Sequence, residues 1–508
     1  MRSKTILLAL LVSVVSTPLL AQHQHEAAAP QAGAPVDLGT VSFPSSGSAQ
    51  AQPHFLRGLL LLHSFEFQPA VQAFAQARQV DPDFAMAYWG QAMALNHPIW
   101  GEQDTAAARA VLNLLGSNAA QRRAKAPTER EQAYLAAVEQ LYFAAGDKAA
   151  RDAAYSRAMG ELAARFPDDL DARALHALSL LALTGARRDT ANYMRAAAVA
   201  EEVHALDPRH PGALHYLIHA YDDPVHAPLG LRAARVYASV APAAPHAQHM
   251  PSHIFFALGL WEESAAANTA ALETTRAQGG MGYHPMHWLQ HARLQQGRRA
   301  EAAGLVQLMA EHLREAPNPA ARTHLAMMRA TWLVETRGAD METMGGPVDS
   351  ADIVAISPFA ALDFARGLSF VERGELASAR ESQAALRARS EKARQSVARE
   401  GEVTSRYATV DQSEILSAQI MDTMLEASLA FAEGRTEDAL VIARQAAVDE
   451  DAADFAYGPP VTVKPAHELL GELLARSGKP VEAAAAFARV LERYPNRALT
   501  LASLQELK

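Results

Sequence analysis

An all-α fold, a superhelical solenoid of antiparallel helix pairs, is predicted by three observations. From Pro53 onward Ala and Leu dominate, Gly and Pro act as punctuation, and almost nothing alternates with period two. A chain of 508 residues is either several domains or a repeat array. Small and aromatic residues then recur at a spacing of 34, which selects the array.

The elements follow in chain order. Met1–Ala21 reads as a signal peptide, with Arg2 and Lys4 as the basic start, Ile6–Val15 as the apolar centre and Pro18 to Ala21 as the cleavage segment. That apolar run is too short to span a bilayer, and no other stretch is long and apolar enough, so the expectation is a soluble exported protein, periplasmic or secreted. There is no cysteine, hence no lipobox, disulfide or thiolate ligand, and stability must come from the core. Net charge is -10, and loss of two cations with the signal makes it about -12, which argues against nucleic acid as a partner. Residues 22–52 are rich in Ala, Pro, Gly, Ser and Gln and read as a mostly disordered leader. It opens Gln22-His23-Gln24-His25, which is either a polar tail or an amino-terminal copper site made by the amine, an amide and an imidazole.

Residues 53–504 carry the repeat. Gly58, Ala70, Phe74, Ala77 and Pro82 fall at positions 8, 20, 24, 27 and 32 of a 34-residue unit. Gly471, Ala483, Phe487 and Pro495 repeat four of these positions near the C-terminus. This pattern resembles the tetratricopeptide repeat, in which small residues at 8 and 20 let helices A and B approach and Pro at 32 ends helix B. Further units fit from Ala85, Pro211, Pro245, Tyr283, Ala360 and Ile420. Between them, Thr128 to Glu131 is a capping box opening a helix towards Phe143, Asp147–Phe166 is a helix stopped by Pro167, and Arg187–Asp207 holds a helix after an insertion. Gly338–Pro347 and Arg399–Arg406 read as loops. The segments HYLIHAYD, HMPSHI and GPPVTVKPAHELLGELL are similar to those of exported bacterial tetratricopeptide repeat proteins with His-rich central repeats. That resemblance implies fold and export, and supplies no reaction.

The chemistry is concentrated between residues 204 and 291, which hold eleven of the 20 histidines. Three pairs lie four apart: His215/His219, His249/His253 and His287/His291. On a helix such pairs share one face and chelate one transition metal. In the resembled family helix A lines the concave groove. With Pro208 at position 32, His215 and His219 fall at groove-facing positions 5 and 9, and His249 and His253 repeat them 34 residues on. Setting Ala302 at position 20 gives His287 and His291 the same heights, with an insertion near Gly279–Gly282. A strict step instead puts Tyr283 at 5 and His287 at 9. Pro251 either kinks its helix or is its first residue. Asp222 continues the face of His215 and His219, as a ligand, an acceptor that orients an imidazole, or a solvated helix-end acid.

The expectation is that His215, His219, His253 and His287 converge in the groove, with His249 and His291 beside them and Asp222 at the rim. His204, His210, His226, His246 and His284 read as structural or solvent-exposed. His176, Trp89, Trp261 and Trp288 read as packing, and Glu468 with Glu472 as a solvated acidic face. Phosphate-loop, dinucleotide, zincin and nucleophile-elbow motifs are absent. Three functions follow: an exported scaffold whose histidines bind Zn²⁺, Cu²⁺ or Ni²⁺, an interaction module whose groove takes a protein or peptide with the histidines as contacts, or a metal-dependent enzyme of unknown reaction.

Overall fold

A computed structural model of the chain describes residues 37–183, 188–351, 353–395, 410 and 412–508. The segment Met1–Ala21, the His23/His25 site and the 399–406 loop lie outside the described residues. Those that are described form helix after helix, from Gln52–His63 to Ala498–Glu506. Their starts are local chemistry. Asp104, Asp147, Asp169, Asp189, Asn118 and Asn318 each accept an amide of the first turn. Pro211, Pro245, Pro251, Pro319 and Pro480 sit where a helix begins and no N–H is needed.

The helix pairs pack as the repeat positions require. A Cβ on Gly58 would stand 2.8 Å from the Phe74 ring, and one on Gly471 2.6 Å from the Phe487 ring. Position 8 is therefore small because the aromatic at position 24 of the partner helix occupies that space. Gly367 meets Leu425 in the same way, at 2.6 Å. The apolar side chains form two cores, one from Leu38 to Ala257 and one from Ala265 to Phe487. The histidine-bearing helices Pro211–Ala220, Pro245–His249, Pro251–Ala257 and Tyr283–Gln295 lie where these cores adjoin.

Four expectations need correction. The leader is not disordered up to residue 52. Leu38 and Phe43 are buried, and the Phe43 ring lies 5.2 Å from Phe55 and 5.3 Å from Tyr134, with Arg130 over it. Glu131 of the capping box turns its carboxylate to the amide and hydroxyl of Ser46, at 2.7 and 2.8 Å, and so fixes this strap. Second, the Gly338–Pro347 segment contains a short helix, Met341–Met344. Third, a two-stranded ladder, Asn96–His97 with Glu102–Gln103, interrupts the helices and carries Trp100 on its turn. Fourth, Glu468 is not solvated but fully buried in an ionic network.

That network returns the C-terminal repeat to the middle of the chain. Arg497 is buried, with Nε donating to Glu468 Oε2 at 2.6 Å and Nη1 standing 2.7 Å from Glu335 Oε1. Burial pulls the guanidinium down, but the two carboxylates hold it above its ordinary range. Lys464 donates to Glu468 and Glu472 at 3.1 and 2.8 Å. Next to Arg497, Asn496 accepts from Trp261 Nε1 at 2.9 Å, and the Ala498 amide donates to Gln295 at 2.9 Å. Pro495 sits where a side chain at Gly259 would be, and Gly259 turns there with φ of 65°. Arg497→Ala would leave Glu335 buried without its cation and Glu468 with Lys464 alone. It should cost about 3–5 kcal/mol of stability in a denaturant titration, and a loss below ~1 kcal/mol would show that the network does not hold the return.

Candidate metal centre

The helix Pro211–Ala220 starts at His210, whose Nδ1 accepts the Ala213 amide at 3.2 Å. One turn further in, His215 and His219 stand on one face with rings 4.8 Å apart. In the next unit Pro251 ends the short helix Pro245–His249 and begins Pro251–Ala257. Met250 between them keeps helical angles, φ -53° and ψ -37°, so the four-residue pairing survives the break. His249 Nε2 and His253 Nε2 are 3.1 Å apart. His246 and His284 complete the arrangement: His246 Nε2 lies 3.2 Å from His215 Nε2, and His284 packs its ring 4.6 Å from that of His249. Two groups result, His215, His219 and His246 in one and His249, His253 and His284 in the other, each with ligand atoms within 4.8 Å of one another.

The hydrogen bonds on the far side of these rings decide what the near side can do. His215 Nδ1 donates to the His63 carbonyl at 2.6 Å. His253 Nδ1 donates to Asp222 Oδ2 at 2.6 Å. His249 Nδ1 donates to Asn268 Oδ1 at 2.7 Å, and the Asn268 amide is itself oriented by donating to Ser264 O at 2.8 Å. A neutral imidazole that donates through Nδ1 presents only a lone pair at Nε2. With both rings neutral, two lone pairs face each other across 3.1 Å between His249 and His253. Two nitrogens bound to one ion at ~2.0–2.1 Å and a near-tetrahedral angle stand ~3.3 Å apart. Rings whose outer N–H is held by a carboxylate or carbonyl are the arrangement found around histidine-bound metals. The donor set thus fits a transition ion.

Several site expectations change. The rings do not line an open groove: His215, His219, His249, His253, His287 and His291 are all buried. Asp222 is not at a rim but buried beneath His253, and its Oδ1 has no hydrogen-bond partner among the described residues. His287 and His291 do not join the convergence. His287 lies 6.0 Å from the His324 ring and its Nε2 has no hydrogen-bond partner among the described residues, while His291 packs 5.0 Å from Phe256 and 6.0 Å from Trp261. His246 and His284, read as structural or exposed, are in the groups. For His246 the overlooked signal is its place three residues before His249, on the same helix face; for His284 no spacing gives it, since His287 three residues on lies outside the groups.

Burial sets the electrostatics. It pushes His215 and His287 down to about 3, and His219 and His291 well below their ordinary value, so these rings are neutral near pH 7. Aromatic side chains seal the site. Phe65, held at φ of 55°, lies 4.3 Å from His215 and 5.6 Å from both His219 and His246. A bulky residue in the left-handed region is strained, and this one is kept so against the histidines. Trp288 lies 4.5 Å from His253 and Tyr457 5.3 Å, with Gly458 leaving room for the indole.

A further group, His63, Asp171 and His210, is of a different kind. His63 bonds Asp171 at 2.9 Å and Tyr216 at 2.9 Å, and His210 uses Nδ1 to cap its helix. Burial would raise Asp171, but the imidazoles of His210 and His63 beside it hold it below the usual carboxylate range. Its donors and acceptors are largely matched, so it reads as the support that fixes His63 and, through the His63 carbonyl, His215.

No protein-family profile matches the chain, and no curated protein matches it. Solved structures similar over much of its length include human IFIT1 dimer with m7Gppp-AAAA, at 13% identity and TM-score 0.38, covering 88% of this chain and 91% of that one. Yeast Tom70 gives 11% and 0.32, covering 89% and 86%. The APC/C hetero-tetramer Cut9–Hcn1 gives 12% and 0.34, covering 92% and 78%. Scores this low carry nothing about partners or activity.

The neutral buried imidazoles make a pH prediction. A histidine ionising near 3 when folded, as His287 does, and near 6.5 when unfolded gives the unfolded chain the proton first. Its stability contribution is complete above 6.5 and falls away as pH drops towards 3. Glu66, pushed up to about 7 by burial, acts in the opposite sense above its ordinary value of 4.5, and so do the carboxyls of Asp152, Glu335, Asp363, Glu450 and Glu472, which burial also raises. The His287 contribution is therefore read by comparison: metal-free His287→Gln should lose less stability between pH 7 and pH 4, in denaturant midpoints, than the unaltered protein. An unchanged pH dependence in His287→Gln would mean that this ring is not buried neutral.

Proposed function

We propose that this protein is a helical-repeat scaffold that holds a transition metal ion at His249, His253 and His284, with Asp222 and Asn268 orienting two of the ligands. One observation carries the reading: His249 Nε2 and His253 Nε2 face each other at 3.1 Å while both Nδ1 atoms donate outward. A cation between them removes the lone-pair clash that neutral rings would otherwise keep in a buried space. An imidazole set without sulfur suits Zn²⁺, Cu²⁺ or Ni²⁺. Three protein ligands leave a fourth position, so a metal-dependent reaction is compatible with the site, though nothing identifies a nucleophile or a substrate.

The interaction-module reading is weaker in one respect. Rings this buried are poorly placed to touch a partner peptide. A partner on another face of the solenoid rests only on the habit of such arrays to offer extended surfaces. Among the described residues no helix is long and apolar enough to cross a membrane. Export remains the reading of Met1–Ala21.

Elemental analysis of protein purified without an affinity tag should find a stoichiometric transition metal. Adding Zn²⁺ or Cu²⁺ to stripped protein should raise its melting temperature. His253→Ala should reduce that rise with helicity intact, and Asp222→Asn should weaken affinity ~10–100-fold. Absence of both the metal and the stabilisation would sink the proposal.

A further inference from the structure

We propose that a second ion is held at His215, His219 and His246, so that the chain carries a two-ion centre with unequal sites. This rests on the metal reading of the His249 site. The two groups are not separate places on the solenoid. His246 and His249 belong to one short helix and their rings lie 6.2 Å apart, and the His219 and His253 rings lie 5.8 Å apart.

The second group has its own sign of a missing cation. His215 is fixed by the His63 carbonyl so that Nε2 offers a lone pair towards His246 Nε2 at 3.2 Å. A proton on His246 Nε2 would satisfy that one contact. It would leave His219 Nε2, buried and without a hydrogen-bond partner among the described residues, against the same two rings. An ion serves all three nitrogens at once. Phe65 covers this group, Trp100 stands 6.1 Å from His246, and all three histidines are buried, whereas His284 at the other group is only half-buried. The inner site is therefore the sealed one, and the His284 site is nearer solvent.

The acceptors behind the rings make the sites unequal. His253 leans on the carboxylate of Asp222, which strengthens it as a donor and offsets part of the ion's charge. His215 leans on a neutral backbone carbonyl. Burying a dication among neutral imidazoles is costlier than burying it beside a carboxylate. The Asp222-supported site should fill first and the all-imidazole site second.

Titration of stripped full-length protein with Cu²⁺, read by calorimetry and electron paramagnetic resonance, tests this. Two ions per chain are expected, bound in two steps, with dipolar broadening of the copper signal once the second is in. His219→Gln should keep the tighter step, lose the weaker one and lose the broadening. Asp222→Asn should weaken the tighter step ~10–100-fold. Circular dichroism confirms folding, and His246→Gln provides the same readout if His219→Gln does not fold. One ion per chain in the unaltered protein, two ions without magnetic interaction, or two ions retained in His219→Gln would overturn the second site. No ion at all would overturn the His249 site with it.

Discussion

The structure depends on how the outward nitrogens of three buried imidazoles are held. The His63 carbonyl, Asp222 and Asn268 each take an Nδ1–H. Once those bonds exist, the Nε2 lone pairs have one direction left, into the space between helices from two neighbouring units. A buried polar atom without a partner costs roughly 1–3 kcal/mol. This seam contains several, among them His219 Nε2 and Asp222 Oδ1. On the metal reading, an ion bound among the rings would offset these costs. The contrast with His63, Asp171 and His210 sharpens the point. That group is also buried and also three-membered, but it holds a carboxylate, and its one orphan nitrogen among the described residues, His210 Nε2, stands 3.4 Å from that carboxylate.

Much of the architecture was legible in the sequence because the repeat encodes a contact. Gly at position 8 and Phe at position 24 are the two halves of one helix–helix touch, visible as a spacing before it is visible as a distance. The parts that escaped are those where one segment meets another far along the chain. Leu38 and Phe43 look like stray apolar residues in an Ala, Pro and Ser leader, and only the aromatic pocket of Phe55 and Tyr134 makes them structural. Glu468 looks like a surface acid until Arg497 returns to it from 29 positions on.

The site was legible in part for the same reason. Pairs four apart on one helix announce a shared face, and His215/His219 and His249/His253 keep it, the second across a proline. Which pairs meet is a matter of helix rotation, and spacing does not report rotation. His287 and His291 have the same spacing and turn elsewhere, towards His324 and Phe256. Burial was illegible too. Position 5 or 9 of a helix A is open to solvent only while nothing fills the concave side, and here Phe65, Trp100 and Tyr457 fill it.

That filling gives the fold its purpose for the site. An open solenoid holds its inner faces at a distance set by curvature alone, and curvature is a soft coordinate in an array whose units touch only their neighbours. Here the turn after Gln52–His63 and the ladder carrying Trp100 come to the first histidine group and the segment carrying Tyr457 to the second, from both ends of the chain. The Arg497 network and the bond from Trp261 to Asn496 tie the last repeat to the central one. The closure makes a long repeat array behave like a pocket. It buries the imidazoles and, on the metal reading, would hold ligands from separate helices to the few tenths of an ångström that coordination demands.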